Sequence, residues 1–267
     1  MELRNYLEKA KKQSWAIGQF NFSTIEQLRG ILAAAKKTRS PVILGTSEGE
    51  SKFLGLKETI ALVEISKIKY GAVAFLNLDH AKDMEYIKEA ASYGYSSVHF
   101  DGSNFSFEKN MEYAKKLVPS IRKKGVLIEG EINNIQRGSF TDPEQAEEFI
   151  EKTKIDSLAV AIGSIHACYK NIRIDFERLK EIKNKTNSFL VLHGGSGVPA
   201  EQIKKAIKVG INKVNINTEL RKAWAQRIKK ELLGGEIKPY KILAKVQEAV
   251  QKKVEEKIKL FGSFGKI

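Results

Sequence analysis

The chain has 267 residues, 46 basic against 32 acidic side chains for a formal charge of +14, one cysteine and 42% apolar residues. That length suits one domain over 1–267, no apolar run approaches the ~18 residues of a membrane span, the start MELRNYLEKAKKQ lacks a signal-peptide segment, and the lone Cys168 excludes a disulfide framework. The lysines alternate with glutamates, as in KKVEEKIK, with no aromatic-interleaved basic stripe, so the sequence predicts a cytoplasmic protein with an anionic substrate, no nucleic acid and no membrane partner.

In chain order, Ser14 to Asn21 (SWAIGQFN) reads as a strand and Thr24 to Lys37 as an amphipathic helix. Pro41 to Gly45 (PVILG) is a second buried strand, ending in Thr46-Ser47, and Lys57 to Lys69 is helical. Ala72 to Leu78 (AVAFLNL) is a third strand that delivers Asp79 and His80, and a helix from Met84 to Tyr93 precedes SSVHFDGS, a fourth strand ending at Asp101. A helix from Phe107 to Lys124 leads to a fifth strand, VLIEGEI, and Thr141-Asp142-Pro143 caps a helix running to Thr153. A sixth strand (SLAVAIG), a helix from Asp175 to Lys185 and a seventh strand, Phe189 to Leu192, follow. The seventh strand runs into His193 and a Gly-Gly-Ser-Gly turn, then an amphipathic helix, then an eighth strand ending in Asn-Ile-Asn-Thr. Eight alternations with continuously apolar strands predict a (β/α)8 TIM barrel with its active site at the C-terminal strand ends. The helices beyond residue 220, including Tyr240 to Lys259, are expected to pack outside as extra C-terminal helices.

The predicted strand ends carry Asn21, Ser47, Asp79 with His80, Asp101, Glu131, His166, His193, and Asn215, Asn217 and Thr218. Three of the four histidines fall at such ends, and three converging imidazoles with one open position suit a catalytic metal. His99, two residues before Asp101 inside the fourth strand, reads as a structural histidine. Glu129 and Glu131 share one strand face, with Glu131 nearer the metal neighbourhood and Glu129 a hydrogen-bonded structural acid. Cys168 reads as a small packing residue. Gly194, Gly195 and Gly197 leave backbone N–H groups open beside Ser196 ahead of a helix N-terminus, which suits a phosphate.

These residues stand in longer segments. NLDHA, SVHFDGS, FTDPEQAEEF, AVAIGSIHACYK, VLHGGSGVP, GINKVNINTEL and EKIKLFGSFGK resemble, in order and nearly end to end, the class II, metal-dependent fructose-bisphosphate and tagatose-bisphosphate aldolases. The resemblance implies zinc-dependent, reversible cleavage of a ketohexose 1,6-bisphosphate in glycolysis and gluconeogenesis, by a homodimer or homotetramer. It implies His80, His166 and His193 as zinc ligands, with Asp101 and Glu131 beside the metal and Glu131 offering a second, more buried position. It implies Asp79 as the acid and base at the C4 hydroxyl, and Asn215 near the reacting carbons. One phosphate falls to Gly194, Gly195, Ser196, Asn217 and Thr218, with a potassium or sodium ion nearby, and the second to Asn21 and Ser47. For Asp79 and His80 both to face the site, the chain after Leu78 has to turn, because consecutive strand residues point to opposite faces.

After the fifth strand the chain departs from the family pattern. EINNIQRGSFTDP is shorter by several residues and lacks the acidic pair that includes a proton-exchanging glutamate, and Ala167 replaces the glycine expected after His166. Tagatose bisphosphate or another phosphorylated ketose therefore stays open as substrate, as does a non-catalytic sugar-phosphate-binding relative. A Schiff-base aldolase is a further alternative, because Lys213 lies two residues before Asn215 on the eighth strand.

Overall fold

Segments that are apolar on both faces and joined by amphipathic helices have one economical solution, a parallel sheet closed on itself and covered by the helices. The computed structural model describes residues 2–132, 139–164 and 172–267 and shows this closure. Eight parallel strands pair in sequence order and the eighth returns to the first: β1 (Ile17–Asn21), β2 (Val42–Ser47), β3 (Ala74–Ala81), β4 (Ser97–Asp101), β5 (Leu127–Glu131), β6 (Ser157–Ala159), β7 (Phe189–Leu192) and β8 (Ile211–Ile216). The helices between them are α2 (Ile25–Thr38), α3 (Glu48–Leu54), α4 (Leu56–Tyr70), α5 (Met84–Tyr93), α6 (Phe107–Arg122), α7 (Pro143–Thr153), α8 (Phe176–Lys185) and α9 (Ala200–Val209). Local chemistry sets several boundaries. Asp83, Asp142 and Asp175 each accept backbone N–H bonds at the starts of α5, α7 and α8.

Most of the apolar core lies between barrel and helices and includes Phe20, Leu44, Leu78, Phe100 and Phe149, each at most 1% exposed. Fully burying a side chain of this size contributes about 1.5–3 kcal/mol. The barrel interior is different. Gln19, Asn77, Ser97, Glu129 and Lys213 are buried and joined by hydrogen bonds.

An N-terminal helix, α1 (Leu3–Gln13), closes the bottom of the barrel. Leu3, Tyr6, Leu7 and Ala10, at helical spacing, pack on Ile17, Ile43, Leu127 and Phe189 near the strand starts. At the other end of the chain, α10 (Thr218–Leu233) and α11 (Pro239–Phe261) pack outside, as expected. Val246, Val250, Val254 and Ile258 of α11 recur every four residues on one buried face, and Phe261 stacks on Phe20 of β1. Gly30 of α2 permits the close approach of α11, since a Cβ there would lie 2.8 Å from the Gln247 carbonyl oxygen and 3.1 Å from Val250. Among the described residues no helix is long and apolar enough to cross a membrane.

Some boundaries differ from the sequence reading. Strand β6 ends at Ala159 where the apolar run continues to Gly163, and α3 starts directly from β2 with no loop. Strand β3 continues through Asp79 and His80 to Ala81, so the turn expected after Leu78 lies inside the strand.

Candidate active site

That turn is the local event that builds the site. His80 has φ +50°, a left-handed conformation that is uncommon for a residue with a Cβ, and the pairing of β3 with β4 shifts register between Leu78 and Ala81. The irregularity lets neighbouring residues point the same way. Asp79 is 4% exposed and accepts from Asn21 Nδ2 (3.1 Å, Oδ2) and Asn215 Nδ2 (3.2 Å, Oδ1), while His80 Nε2 lies 2.9 Å from His193 Nδ1.

The other nitrogen of His193 is held from below. Nε2 is 2.7 Å from Glu129 Oε1, and Glu129 Oε2 accepts from Lys213 Nζ at 2.5 Å. With its proton on the side facing Glu129, His193 keeps a lone pair on Nδ1, directed at His80. Ser164 fixes the strand end by donating to the His193 carbonyl oxygen at 2.8 Å. Glu129 is thus a hydrogen-bonded acid, as the sequence suggests, but its partner is a site histidine. Lys213 is engaged by Glu129 and by Gln19 Oε1 at 3.0 Å, inside the barrel.

A third imidazole completes the cluster, and it is His99, which sequence reasoning set aside. It is fully buried, with its ring 4.8 Å from that of His80 and 4.9 Å from that of His193. Nδ1 accepts from the His80 backbone N–H at 3.1 Å, and Nε2 points into the interior 3.6 Å from Glu131 Oε2. The same parity that pairs Glu129 with Glu131 pairs His99 with Asp101, so the signal was available in the sequence.

Three rings this close split electrostatically. Burial pushes the His80 imidazole down, but Asp79, Asp101 and Glu131 outweigh it and raise the pKa above the usual value. Burial also opposes the charged form of His99, and Asp79 with Glu129 pushes it up on balance. For His193, burial and the neighbouring His80 act together and lower its pKa to about 3. On the acid side, burial would raise Asp79, but His80, His99 and His193 hold it well below the ordinary carboxylate value. Asp101, despite its own burial, is lowered by His80, His99 and Ser103, whose hydroxyl donates to it at 2.6 Å. Ionised carboxylates beside a neutral His193 make a ready donor set for a cation. Two overlapping groups have ligand atoms within 4.8 Å of one another: Asp79, His80, His99 and His193, and His80, Asp101 and Glu131.

The cavity above this cluster has a volume of about 110 Å³ and is lined by Asn21, Ser47, Asp79, His80, His193, Gly194, Ser196, Asn215, Asn217, Thr218 and Arg221. It brings together most of the residues singled out from the sequence. Asp101 and Glu131 lie beneath it, 3.7 Å from His80 Nδ1. Gly195 packs elsewhere: a Cβ there would lie 2.6 Å from Val214 Cγ1 and 3.0 Å from the Asn215 carbonyl oxygen, so this glycine lets the turn approach β8. His166, Ala167 and Cys168 lie outside the described residues, as do residues 133–138 of the altered loop. Arg221, one helical turn after Thr218 and donating to its hydroxyl at 3.4 Å, is a cavity residue that the sequence reading missed.

Residues 1–266 match the family model described as fructose-bisphosphate aldolase class-II. A relative named fructose-bisphosphate aldolase from Geobacillus stearothermophilus is 34% identical over 282 residues, covering 100% of this chain and 98% of its own. A Staphylococcus aureus (strain Mu50) protein of the same name is 35% identical, covering 98% and 97%. Among solved structures, the YdjI aldolase from Escherichia coli K12 superposes with a TM-score of 0.90 at 34% identity, covering 100% of this chain and 98% of that one. The fructose-bisphosphate aldolase of Campylobacter jejuni gives 0.86 at 26% identity, covering 99% and 95%.

Proposed function

The chain belongs to the class-II fructose-bisphosphate aldolase family, and from that premise we propose that its cavity cleaves a ketohexose 1,6-bisphosphate, with fructose 1,6-bisphosphate the first sugar and tagatose 1,6-bisphosphate the second. The products are dihydroxyacetone phosphate and glyceraldehyde 3-phosphate. The observation that carries the reading is the convergence of His80 Nε2 and His193 Nδ1 beside Asp79, within a family match that runs the length of the chain.

The donor set fits a divalent ion, since imidazole nitrogens and ionised carboxylates lie within 4.8 Å of one another. His80 and His193, with His166, would hold zinc, and Asp101 and Glu131 offer a second position. When bound, the ion supplies Lewis-acid stabilisation of the negative charge that develops on the dihydroxyacetone half as the C3–C4 bond breaks.

The protein's own groups do the rest. Asp79, ionised and clasped by the Asn21 and Asn215 amides, takes the C4 hydroxyl proton in cleavage and returns it to the aldehyde oxygen in condensation. Asn215 orients the substrate near the reacting carbons. One phosphate lies against Gly194, Ser196, Asn217 and Thr218, with Gly195 shaping that turn and Arg221 adding positive charge at the rim. A potassium or sodium ion beside this phosphate, a second phosphate at Asn21 and Ser47, a homodimeric or homotetrameric assembly and a cytoplasmic place in glycolysis belong to the same reading. The Lys213–Glu129 salt bridge supports metal chemistry over a Schiff base, because it occupies the amine below the cavity.

Asp79→Ala tests the assignment. Cleavage should fall about 10²–10⁴-fold, the ordinary contribution of a general acid or base, with bound metal unchanged. A variant cleaving at the parental rate would contradict it.

A further inference from the structure

A second small cavity, about 180 Å³ in volume, lies at the N-terminal end of the barrel between the end of α1, the α8–β7 turn and the α9–β8 turn. Lys11 of α1, Lys183 of α8 and Lys208 of α9 line it, and among the described residues no aspartate or glutamate does. The larger cavity beside it differs, because there Glu8, Glu147, Glu151 and Asp156 stand among the cations. Each of the three lysines is in the last turn of its helix, where a cation complements the partial negative charge of about half a unit at a helix C-terminus. Three such ends offset only about half of the three positive charges, so the cavity keeps a surplus.

Unused donors accompany that surplus. Asn212 of β8 is only 3% exposed, and its Oδ1 accepts from the Leu190 N–H at 3.0 Å, which turns Nδ2 the other way; among the described residues this amide nitrogen has no hydrogen-bond partner. Ser188 Oγ is buried and likewise without a partner. Lys11 Nζ directs two of its three N–H bonds to Asn187, at 2.8 Å to the carbonyl oxygen and 2.9 Å to Oδ1, and keeps one. Lys183 and Lys208 form no salt bridge among the described residues. The stem of Lys183 lies against the α9–β8 turn, where a Cβ on Gly210 would come within 2.8 Å of its Cγ. Burial and the like charge of Lys183 hold the Lys11 ammonium below its ordinary pKa, the response of a cation with no anion beside it. Buried polar groups ordinarily find partners, so a pocket of donors without an acceptor calls for an anion from outside.

We propose that this cavity binds a phosphate dianion, either free phosphate or the phosphate group of a small monoester, between α1, α8 and α9. Its oxygens accept from Ser188 Oγ, Asn212 Nδ2 and the remaining N–H of Lys11, while Lys183 and Lys208 supply charge from the rim. The site is separate from the catalytic cavity, which lies at the other end of the strands and is smaller, at about 110 Å³. Ser188 directly precedes β7 and Asn212 is the second residue of β8, so the anion ties the end of α1 to the starts of both strands. Binding there stabilises the fold by mass action and leaves the chemistry at the far end unchanged.

The test titrates inorganic phosphate into the metal-loaded protein by calorimetry at constant ionic strength, with glycerol 3-phosphate in a second series, and compares the parent with its K183Q/K208Q and S188A variants. Amide hydrogen exchange locates the bound anion, because the catalytic cavity can also take phosphate. In the parent, phosphate should slow exchange at residues 183–190 and 208–213. Lys183 and Lys208 are exposed, so K183Q/K208Q should fold as the parent does, and a thermal melt without phosphate checks this. That variant should bind the anion at this end about 10²-fold more weakly, and S188A about tenfold, with kcat/KM for cleavage unchanged in both. Phosphate should also raise the melting temperature of the parent more than that of K183Q/K208Q. Tighter binding of glycerol 3-phosphate than of phosphate would assign the seat to a monoester, and equal or weaker binding would assign it to free phosphate. Protection confined to the turn at residues 193–197, or equal binding by the parent and K183Q/K208Q, would overturn the inference. Neither result depends on the aldolase reading, which the cleavage assay tests separately.

Discussion

The two ends of the barrel are both rich in charge, and they use it differently. At the N-terminal end a cavity of about 730 Å³ lies beside α1, lined by Arg4, Lys11, Arg122, Lys154, Asp156 and Lys185 among others. There the contacts are mostly simple local pairs: Arg4 pairs with Asp156 and Lys185 with Glu144 and Glu147, while Lys11 donates to the neutral Asn187 carbonyl and side-chain oxygens. The C-terminal cavity has a volume of only about 110 Å³. Its charges are buried, shared among three imidazoles and four carboxylates, and not matched pair by pair. Volume therefore does not mark the chemistry, and unresolved competition among buried titratable groups does.

The largest expected effect in sharpening that contrast comes from Glu129. Glu129→Gln keeps the shape but lets the side chain present either a donor or an acceptor to His193 and weakens the hold on Lys213. Zinc affinity, measured by competition with a chromophoric chelator, should drop about 10–100-fold, the usual cost of losing the partner that orients a metal-ligating histidine. Unchanged affinity would show that Glu129 is only structural.

A smaller effect is expected in pH dependence. The pKa of His193 is depressed to about 3 in the fold, so between that value and its ordinary 6.5 the unfolded chain binds a proton that the folded chain does not. Its contribution to stability is present above pH 6.5 and lost as pH falls, at up to about 1.4 kcal/mol per pH unit. Metal-free protein and its His193→Gln variant, unfolded in urea at pH 7, 6 and 5, should diverge, with the parent losing more stability per unit. The opposite divergence would mean that His193 is protonated in the fold.

The smallest effect belongs to the other end. Lys185→Ala removes an exposed pair and should leave zinc affinity and cleavage kinetics unchanged, since such pairs contribute little. A loss of activity there would break the contrast between the two ends.

Much of this arrangement was legible in the sequence because it follows from periodicity. Apolar strands alternating with amphipathic helices specify the barrel, and the residues at the C-terminal strand ends then fall at the active end, which locates Asp79, His193, Asn215 and Asn217. What stayed hidden depends on departures from regularity. Nothing in NLDHA announces that His80 takes a left-handed backbone, so the bulge inside β3 read as a turn beyond it. The S-E-G-E segment carries the cap signature of Ser47 and Glu50, but Gly49 and the missing loop masked α3. His99 is readable by parity with Asp101 and Arg221 by helical spacing from Thr218, but neither stands at a strand end, where the periodicity directs attention.

The most direct test of the account is release of dihydroxyacetone phosphate from fructose 1,6-bisphosphate, with tagatose 1,6-bisphosphate assayed beside it. Purified protein is assayed as isolated, after chelation and after zinc return. A metal site at the C-terminal end predicts release that disappears with the chelator and returns with zinc. Release that persists in thoroughly chelated protein would contradict the metal-dependent mechanism at this site.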